Sequence, residues 1–284
     1  MQAGKFGGGG ADGSMMAHAI ELEYRNIGLD EIIHEQRPFA LKHRVSFGDF
    51  IQFAGAVGLA NCQGAPRLQF LAGRANHSQP APNEGLIPAP FHTADQIFIR
   101  MQDAGFSVDE TVALMAAHSV AAQHQLDPSI NNEPLDSTPE EFDAQFFLET
   151  SLKGTRYPGN VSALAEDKSP LLGEFRIQSD TLLARDDRSA CEWQSFITNH
   201  NAMNHKFYNA MAKLSVLGQD PSTLVDCSEV IPVPQPARRQ KAVLPPGKTM
   251  DDVDATCATK HLPALATSPG RKTSILPAPS RRSR

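Results

Sequence analysis

The chain has 284 residues, a formal net charge of −6 and 40% hydrophobic residues. That length suits one large domain or two small ones. The acidic balance argues against nucleic acid as the main partner, and no apolar run reaches the ~18 residues of a membrane span.

In chain order, Met1–Phe6 carries no apolar core of the kind a secretory signal needs. The run Gly7-Gly8-Gly9-Gly10-Ala11-Asp12-Gly13-Ser14 follows. It reads as a flexible linker or as an ion-binding loop. A P-loop would need Lys and Ser or Thr after the last glycine. The Gly10 carbonyl, the Asp12 carboxylate and the Ser14 hydroxyl, spaced by two, can turn onto one calcium ion. Ser46–Leu59 begins with a cap residue and has apolar residues at helical spacing. Gln63–Pro90 reads as a long loop rich in Pro, Asn and Gly. A loop of that length is functional or packed against something large. The next helix spans His92–Ala104 and stops at Gly105. Ser107-Val108-Asp109-Glu110 is a capping box opening the helix that carries His118, and Thr138-Pro139-Glu140-Glu141 reads as a second one. Glu174–Ile177 reads as a short strand, and Asn201–Leu217 as a long helix ended by Gly218. From Pro232 the chain is Pro-rich and weakly periodic, which predicts an extended tail wrapping a helical body. The basic clusters at residues 238–241 and 281–284 read as solvated parts of that tail. The four cysteines, Cys62, Cys191, Cys227 and Cys257, form no CxxC pair, which argues against zinc. Two N-x-S sequons stand at Asn76 and Asn160.

His118 admits two readings. It is a core histidine on a small-residue helix, or a metal ligand whose other ring nitrogen is held by a carboxylate. Beside it, Ser119, Asp136, Thr138 and Asp143 offer oxygens suited to a hard cation. The competing reading of the acids is ordinary chemistry at a helix N-terminus. That explains Thr138 and Glu141 better than it explains Asp143 and the Ser119 hydroxyl.

Several segments together resemble the fungal secreted haem peroxidases, class II of the plant-type superfamily. These are the Gly-rich loop to Ser14, Asp49-Phe50-Ile51-Gln52-Phe53-Ala54-Gly55-Ala56-Val57 and Asn61-Cys62-Gln63-Gly64-Ala65-Pro66-Arg67. Ala117-His118-Ser119-Val120-Ala121, Asp136-Ser137-Thr138-Pro139 and Gln178-Ser179-Asp180-Thr181-Leu182-Leu183-Ala184-Arg185-Asp186 belong to the same pattern. So do Ala190-Cys191-Glu192-Trp193-Gln194-Ser195 and Asp226-Cys227-Ser228-Glu229-Val230-Ile231-Pro232. The resemblance runs in order from Gly7 to about Pro269. It implies an all-α fold around one haem b, with residues 7–231 as the helical body, 232–284 as the tail and 1–6 outside the pattern. It implies His118 as the iron ligand, Asp180 as acceptor of its other N–H, and Asn26 as the residue orienting a distal histidine. Gly10, Asp12 and Ser14 would serve a distal calcium. Ser119, Asp136, Thr138, the Glu141 carbonyl and Asp143 would serve a proximal one. It pairs Cys191 with Cys257. The implied reaction is peroxide-dependent oxidation of small phenolic or aromatic donors by a secreted monomer, without nucleic-acid or membrane partners.

The chain departs from this pattern in places. The family's distal Arg-x-x-Phe-His-Asp helix precedes the Gly-rich loop, whereas six residues precede Gly7 here and no His-Asp dipeptide occurs anywhere. The expectation is an N-terminally truncated member whose distal calcium site is weakened and whose Cys62 and Cys227 are unpaired. Its catalysis would be impaired, leaving a fragment that binds haem and calcium. Ala113 stands where lignin and versatile peroxidases carry a surface tryptophan, and His124 where manganese-oxidising members carry an aspartate. The resemblance therefore narrows to the generic, low-potential type.

Overall fold

A computed structural model describes residues 8–23, 26–82, 86–130, 132–154 and 165–278. Gly7, the Asn160 sequon, residues 1–6 and the last basic cluster lie outside the described residues. Helices dominate: α1 (Ser14–Ala17), α2 (Asp30–His43), α3 (Phe47–Ala60), α4 (Ala94–Asp103), α5 (Val108–Leu114), α6 (Gln145–Thr150), α7 (Gln178–Arg185), α8 (Ala190–Ile197) and α9 (His200–Ser215). Strand is confined, among the described residues, to two-residue pieces: β1 (Leu71–Ala72) pairs antiparallel with β4 (Val225–Asp226), and β2 (Ala122–Gln123) with β3 (Glu133–Pro134). No described helix is long and apolar enough to cross a membrane.

Local chemistry sets the helix starts. The Ser46 hydroxyl accepts the Asp49 N–H at the head of α3. Ser107 and Glu110 exchange both bonds of a capping box at α5, and Thr93 with Gln96 does the same at α4. The second box read from sequence does not form. No helix starts at Thr138; the chain makes a tight turn, with the Glu141 N–H donating to the Thr138 carbonyl, and α6 begins only at Gln145. Each member of the box has another partner. The Thr138 N–H donates to Asp136, its hydroxyl donates to Asp143, and the Glu141 carboxylate is held by Arg238 from the tail. The predicted strand at Glu174–Ile177 is also absent. That segment is extended but makes one isolated bridge, between Ile177 and Glu166.

The core centres on α5, α6, α8 and α9. Trp193 on α8 is fully buried, and its ring lies 5.4 Å from Phe146 and 4.8 Å from Phe147, both on α6. Its indole N–H donates to the Phe147 carbonyl at 3.0 Å, satisfying the one polar atom of the ring.

The long loop after α3 is packed rather than loose. Asp49 on α3 and Arg74 in the loop form a buried ion pair at 2.7 Å, with side-chain exposures of 9% and 1%. Arg74 also donates to the Ser215 carbonyl at the end of α9 (2.7 Å) and to the Leu71 carbonyl. The last stretch lies along the body through backbone bonds. Gly64, Ala242 and Ile275 N–H groups donate to Gln235, Ile197 and Leu172 carbonyls. A disulfide, Cys191–Cys257, joins α8 to this segment across 66 residues, while Cys62 and Cys227 are free.

Truncating Arg74 to Ala strands the Asp49 carboxylate in the core, so urea melts of Arg74→Ala should lose about 3–5 kcal/mol; a loss within 1 kcal/mol would show that water replaces the pair. Thiol titration of the unfolded, unreduced chain should find the two free thiols of Cys62 and Cys227. Reduction of the Cys191–Cys257 bridge should cost roughly 4 kcal/mol by loop entropy.

Candidate functional site

His118 lies just beyond α5. The chain tightens there into a 3-10 turn, Met115–Val120, instead of continuing as the α-helix expected from sequence. The Nδ1 of His118 and Oδ2 of Asp180 on α7 are 2.9 Å apart, although 62 residues separate them in sequence. The His118 ring packs edge-on against Phe146 at 5.5 Å. Asp180 is almost completely covered, at 2% side-chain exposure, whereas the His118 side chain keeps 29% of its surface uncovered. Its Nε2 makes no hydrogen bond among the described residues. Burial pulls the ring toward its neutral form, but the charge of Asp180 and its hydrogen bond outweigh this and hold His118 above the usual range. A buried carboxylate that fixes one ring nitrogen and leaves the other unbonded is what an axial metal ligand requires.

A short hairpin carries the chain from His118 to the acidic loop. β2 pairs with β3, and the Leu135 N–H donates to the Ala121 carbonyl. In the loop, Asp136 Oδ1 accepts the Thr138 N–H (2.8 Å), the Thr138 hydroxyl reaches both Asp143 oxygens (3.2 Å), and Asp143 Oδ1 accepts the Gln145 N–H (2.8 Å). Asp136, Thr138 and Asp143 are thus brought together, with Glu141 in the same turn. Ser119 is fully buried, and its hydroxyl donates to the Ala116 carbonyl; no hydrogen bond ties it to the other four.

The electrostatics of this loop are unbalanced. Asp136 is fully buried, and its Oδ2 has no hydrogen-bond partner. Burial, then the charges of Glu149 and Asp143, hold its carboxyl well above the usual range. Burial likewise pushes Asp143 up to about 7. Glu149 on α6, absent from the sequence-derived site, is also raised by burial. It clamps the loop by accepting the Ser137 N–H and hydroxyl, both at 2.7 Å. In the sequence it stands out only as one acid after Phe146-Phe147-Leu148. None of these three carboxylates forms an ion pair with Lys or Arg among the described residues. An uncovered buried oxygen, hydroxyls and two carboxylates make a donor set that fits a hard divalent cation. No set of three or more His, Cys, Asp or Glu forms a metal cluster among the described residues. The fit therefore rests on this mixed oxygen set.

The glycine loop is different. Gly10 has φ +70°, and a Cβ there would meet the Leu217 carbonyl at 1.9 Å, so only glycine fits. Both oxygens of Asp12 already accept backbone N–H groups, from Ser14 and Gln79, and the Ser14 hydroxyl donates to Glu21. The Asn26 amide donates to the Glu21 carbonyl. No contact of Asn26 with a histidine ring occurs among the described residues.

Raised carboxyls stabilise the fold only while they are protonated. For Asp143 that contribution is complete below its usual 3.8 and is lost as pH rises through about 7. The melting temperature of metal-free protein should therefore fall between about pH 4 and pH 7, and added calcium should restore it more at pH 7 than at pH 5. A flat metal-free profile would contradict this placement of the acids.

The peroxidase family model matches residues 3–199, and a model described as the fungal peroxidase extension region matches residues 202–280. Ligninase H2 of Phanerodontia chrysosporium is 51% identical over 275 residues, covering 96% of this chain and 74% of its own. Versatile peroxidase VPS1 of Pleurotus eryngii is 51% identical over 281 residues, covering 98% and 75%. A peroxidase of Arthromyces ramosus is 52% identical over 279 residues, covering 98% and 76%. Two family models that together span the chain, and relatives similar along nearly all of it, show that this chain belongs to the fungal class II haem peroxidases.

Proposed function

We propose that this chain is the haem-holding body of a generic, low-potential peroxidase that oxidises small phenolic or aromatic donors at the expense of hydrogen peroxide. The observation that carries this reading is the His118–Asp180 pair, with one ring nitrogen fixed and the other unbonded. His118 would hold the iron of haem b through Nε2. Asp180, by accepting the Nδ1–H of His118, would give the imidazole anionic character and favour the ferric state. Bound haem supplies the electron transfers of a peroxidase, two electrons to peroxide and one from each donor.

The subtype rests on side chains, because ligninase, versatile peroxidase and plain peroxidase are all about equally similar at 51–52% identity. Ala113 is buried at 1% and Trp193 at 0%. Neither offers an oxidisable ring at the surface to a bulky donor.

The acidic loop would hold a proximal calcium through Ser119, Asp136, Thr138, the Glu141 carbonyl and Asp143. The glycine loop would hold a distal one more weakly through Gly10, Asp12 and Ser14, since the Asp12 oxygens are already engaged. The Cys191–Cys257 bridge favours an oxidising, extracellular setting, and we take the protein as a secreted monomer.

A second reading is kept because of one feature. No His-Asp dipeptide occurs in the 284 residues, and acid–base help of the kind a histidine gives is typically worth ~10²–10⁴-fold. The chain would then bind haem and turn over slowly. A haem titration followed by absorbance, with peroxide turnover measured on the same sample, decides between the two readings. The expected result is one haem per chain, lost in His118→Ala and kept with an altered ferric spectrum in Asp180→Asn. Calcium titration should show one tight equivalent that disappears in Asp143→Ala and survives Asp12→Ala. Haem bound equally well by His118→Ala would overturn the assignment.

A further inference from the structure

Away from His118, a cleft of about 830 Å³ lies between the acidic loop, the Leu171–Leu172 turn and residues 272–277. That volume suits a small organic molecule. One wall is the loop from Ser137 to Glu141, the floor is Val243 to Lys248, and the other wall is Lys272 to Pro277. Five prolines among the lining residues stiffen these walls without offering N–H donors. The far wall is fixed in place. The Ile275 N–H donates to the Leu172 carbonyl at 2.8 Å, and a Cβ on Gly173 would come within 2.3 Å of the Ile275 carbonyl.

The polar and apolar groups of the cleft are sorted. Glu141 is taken by Arg238 at 2.5 Å, and Lys248 by Asp252 at 3.3 Å. Arg239 and Lys272 form no ion pair among the described residues, and the one lining acid left unpaired is Glu140. Lys272 passes close to the floor of the cleft. Its aliphatic stem lies against Gly247, where a Cβ would come within 2.4 Å of its Cε. Beside these charges, Leu172 and Leu276 are 76% and 79% exposed, unusually bare for lining residues of a cleft.

We propose that this cleft binds a small aromatic carboxylate, whose ring lies between the proline and leucine walls and whose carboxylate meets Arg239 and Lys272. Arginine pairs with carboxylates and stacks on aromatic faces, and both cations favour a flat aromatic ring nearby. The site needs neither haem nor the His118–Asp180 pair. Because Thr138 and Glu141 line it while belonging to the acidic loop, it adjoins the proposed proximal calcium site.

The test is a calorimetric titration of the full chain, at low salt and with calcium present, using 4-hydroxybenzoate and its uncharged amide as probes. The expected result is one saturable site for the carboxylate, with the amide bound at least about tenfold more weakly. Arg239→Glu with Lys272→Glu, both on exposed side chains, should weaken the carboxylate by a similar factor. His118→Ala, far from the cleft in function, should leave it unchanged. No saturable carboxylate binding, equal binding of acid and amide, or affinity unmoved by the double reversal would each overturn the proposal. Affinity lost in His118→Ala would do so too, by placing the probe at the histidine.

Discussion

The contact between His118 and Asp180 is the constraint on which the rest of the molecule depends. It joins the turn after α5 to the first turn of α7 at 2.9 Å. A buried carboxylate is costly unless its charge is met, so Asp180 is tolerable only while the ring stands opposite it. The surroundings hold that geometry. Phe146 packs on the ring, Trp193 on Phe146, and the Trp193 indole is tied to α6. A change in any of these residues would be felt at the unbonded nitrogen of His118, the atom proposed to hold the iron.

A second constraint is the concentration of acid beneath that site. Asp136, Asp143 and Glu149 are drawn into the interior without a lysine or arginine to meet them. Elsewhere the protein does pair its buried charges, as with Asp49 and Arg74 or Asp167 and Arg176. The contrast within one fold supports the cation proposed for this loop. The segment after residue 232 takes part as well. Arg238 takes the Glu141 carboxylate, which leaves the Glu141 carbonyl and the inward-facing acids as the set that a cation would meet.

How much of this could be read from sequence varies with the residue. The Ser107–Glu110 box was legible because both halves lie within four residues and nothing distant competes for them. The same pattern at Thr138 misled, since Glu141 is claimed by Arg238, 97 residues away. Two helices gave no usable periodic signal. All six residues of α6 are buried, so it has no polar face. α2 contains Pro38 and buries only Ile33 and Ala40, so its apolar stripe is faint. The residues of the site were legible for another reason. His118, Asp180 and the acidic loop stand in a recognisable order, and the resemblance supplied pairings across 62 residues that no local pattern contains. Glu149 was missed because its contacts, the Ser137 N–H and hydroxyl, follow from the fold alone.

The tightening of the chain at Met115 has a mechanical meaning. A 3-10 turn advances ~2.0 Å per residue against ~1.5 Å for an α-helix, and sets successive side chains about 120° apart. Over the six residues Met115–Val120 this lengthens the segment by about 3 Å. It also swings Ser119 into the fully buried interior while its neighbour His118 keeps an open edge. The two residues sit on one short, stiff rod, facing different ways. If the proposed calcium is held through Ser119, an ion entering or leaving the acidic loop would act on the same rod that carries His118. The helix ends in this overwound form between the His118–Asp180 pair and the segment that leads to the acidic loop.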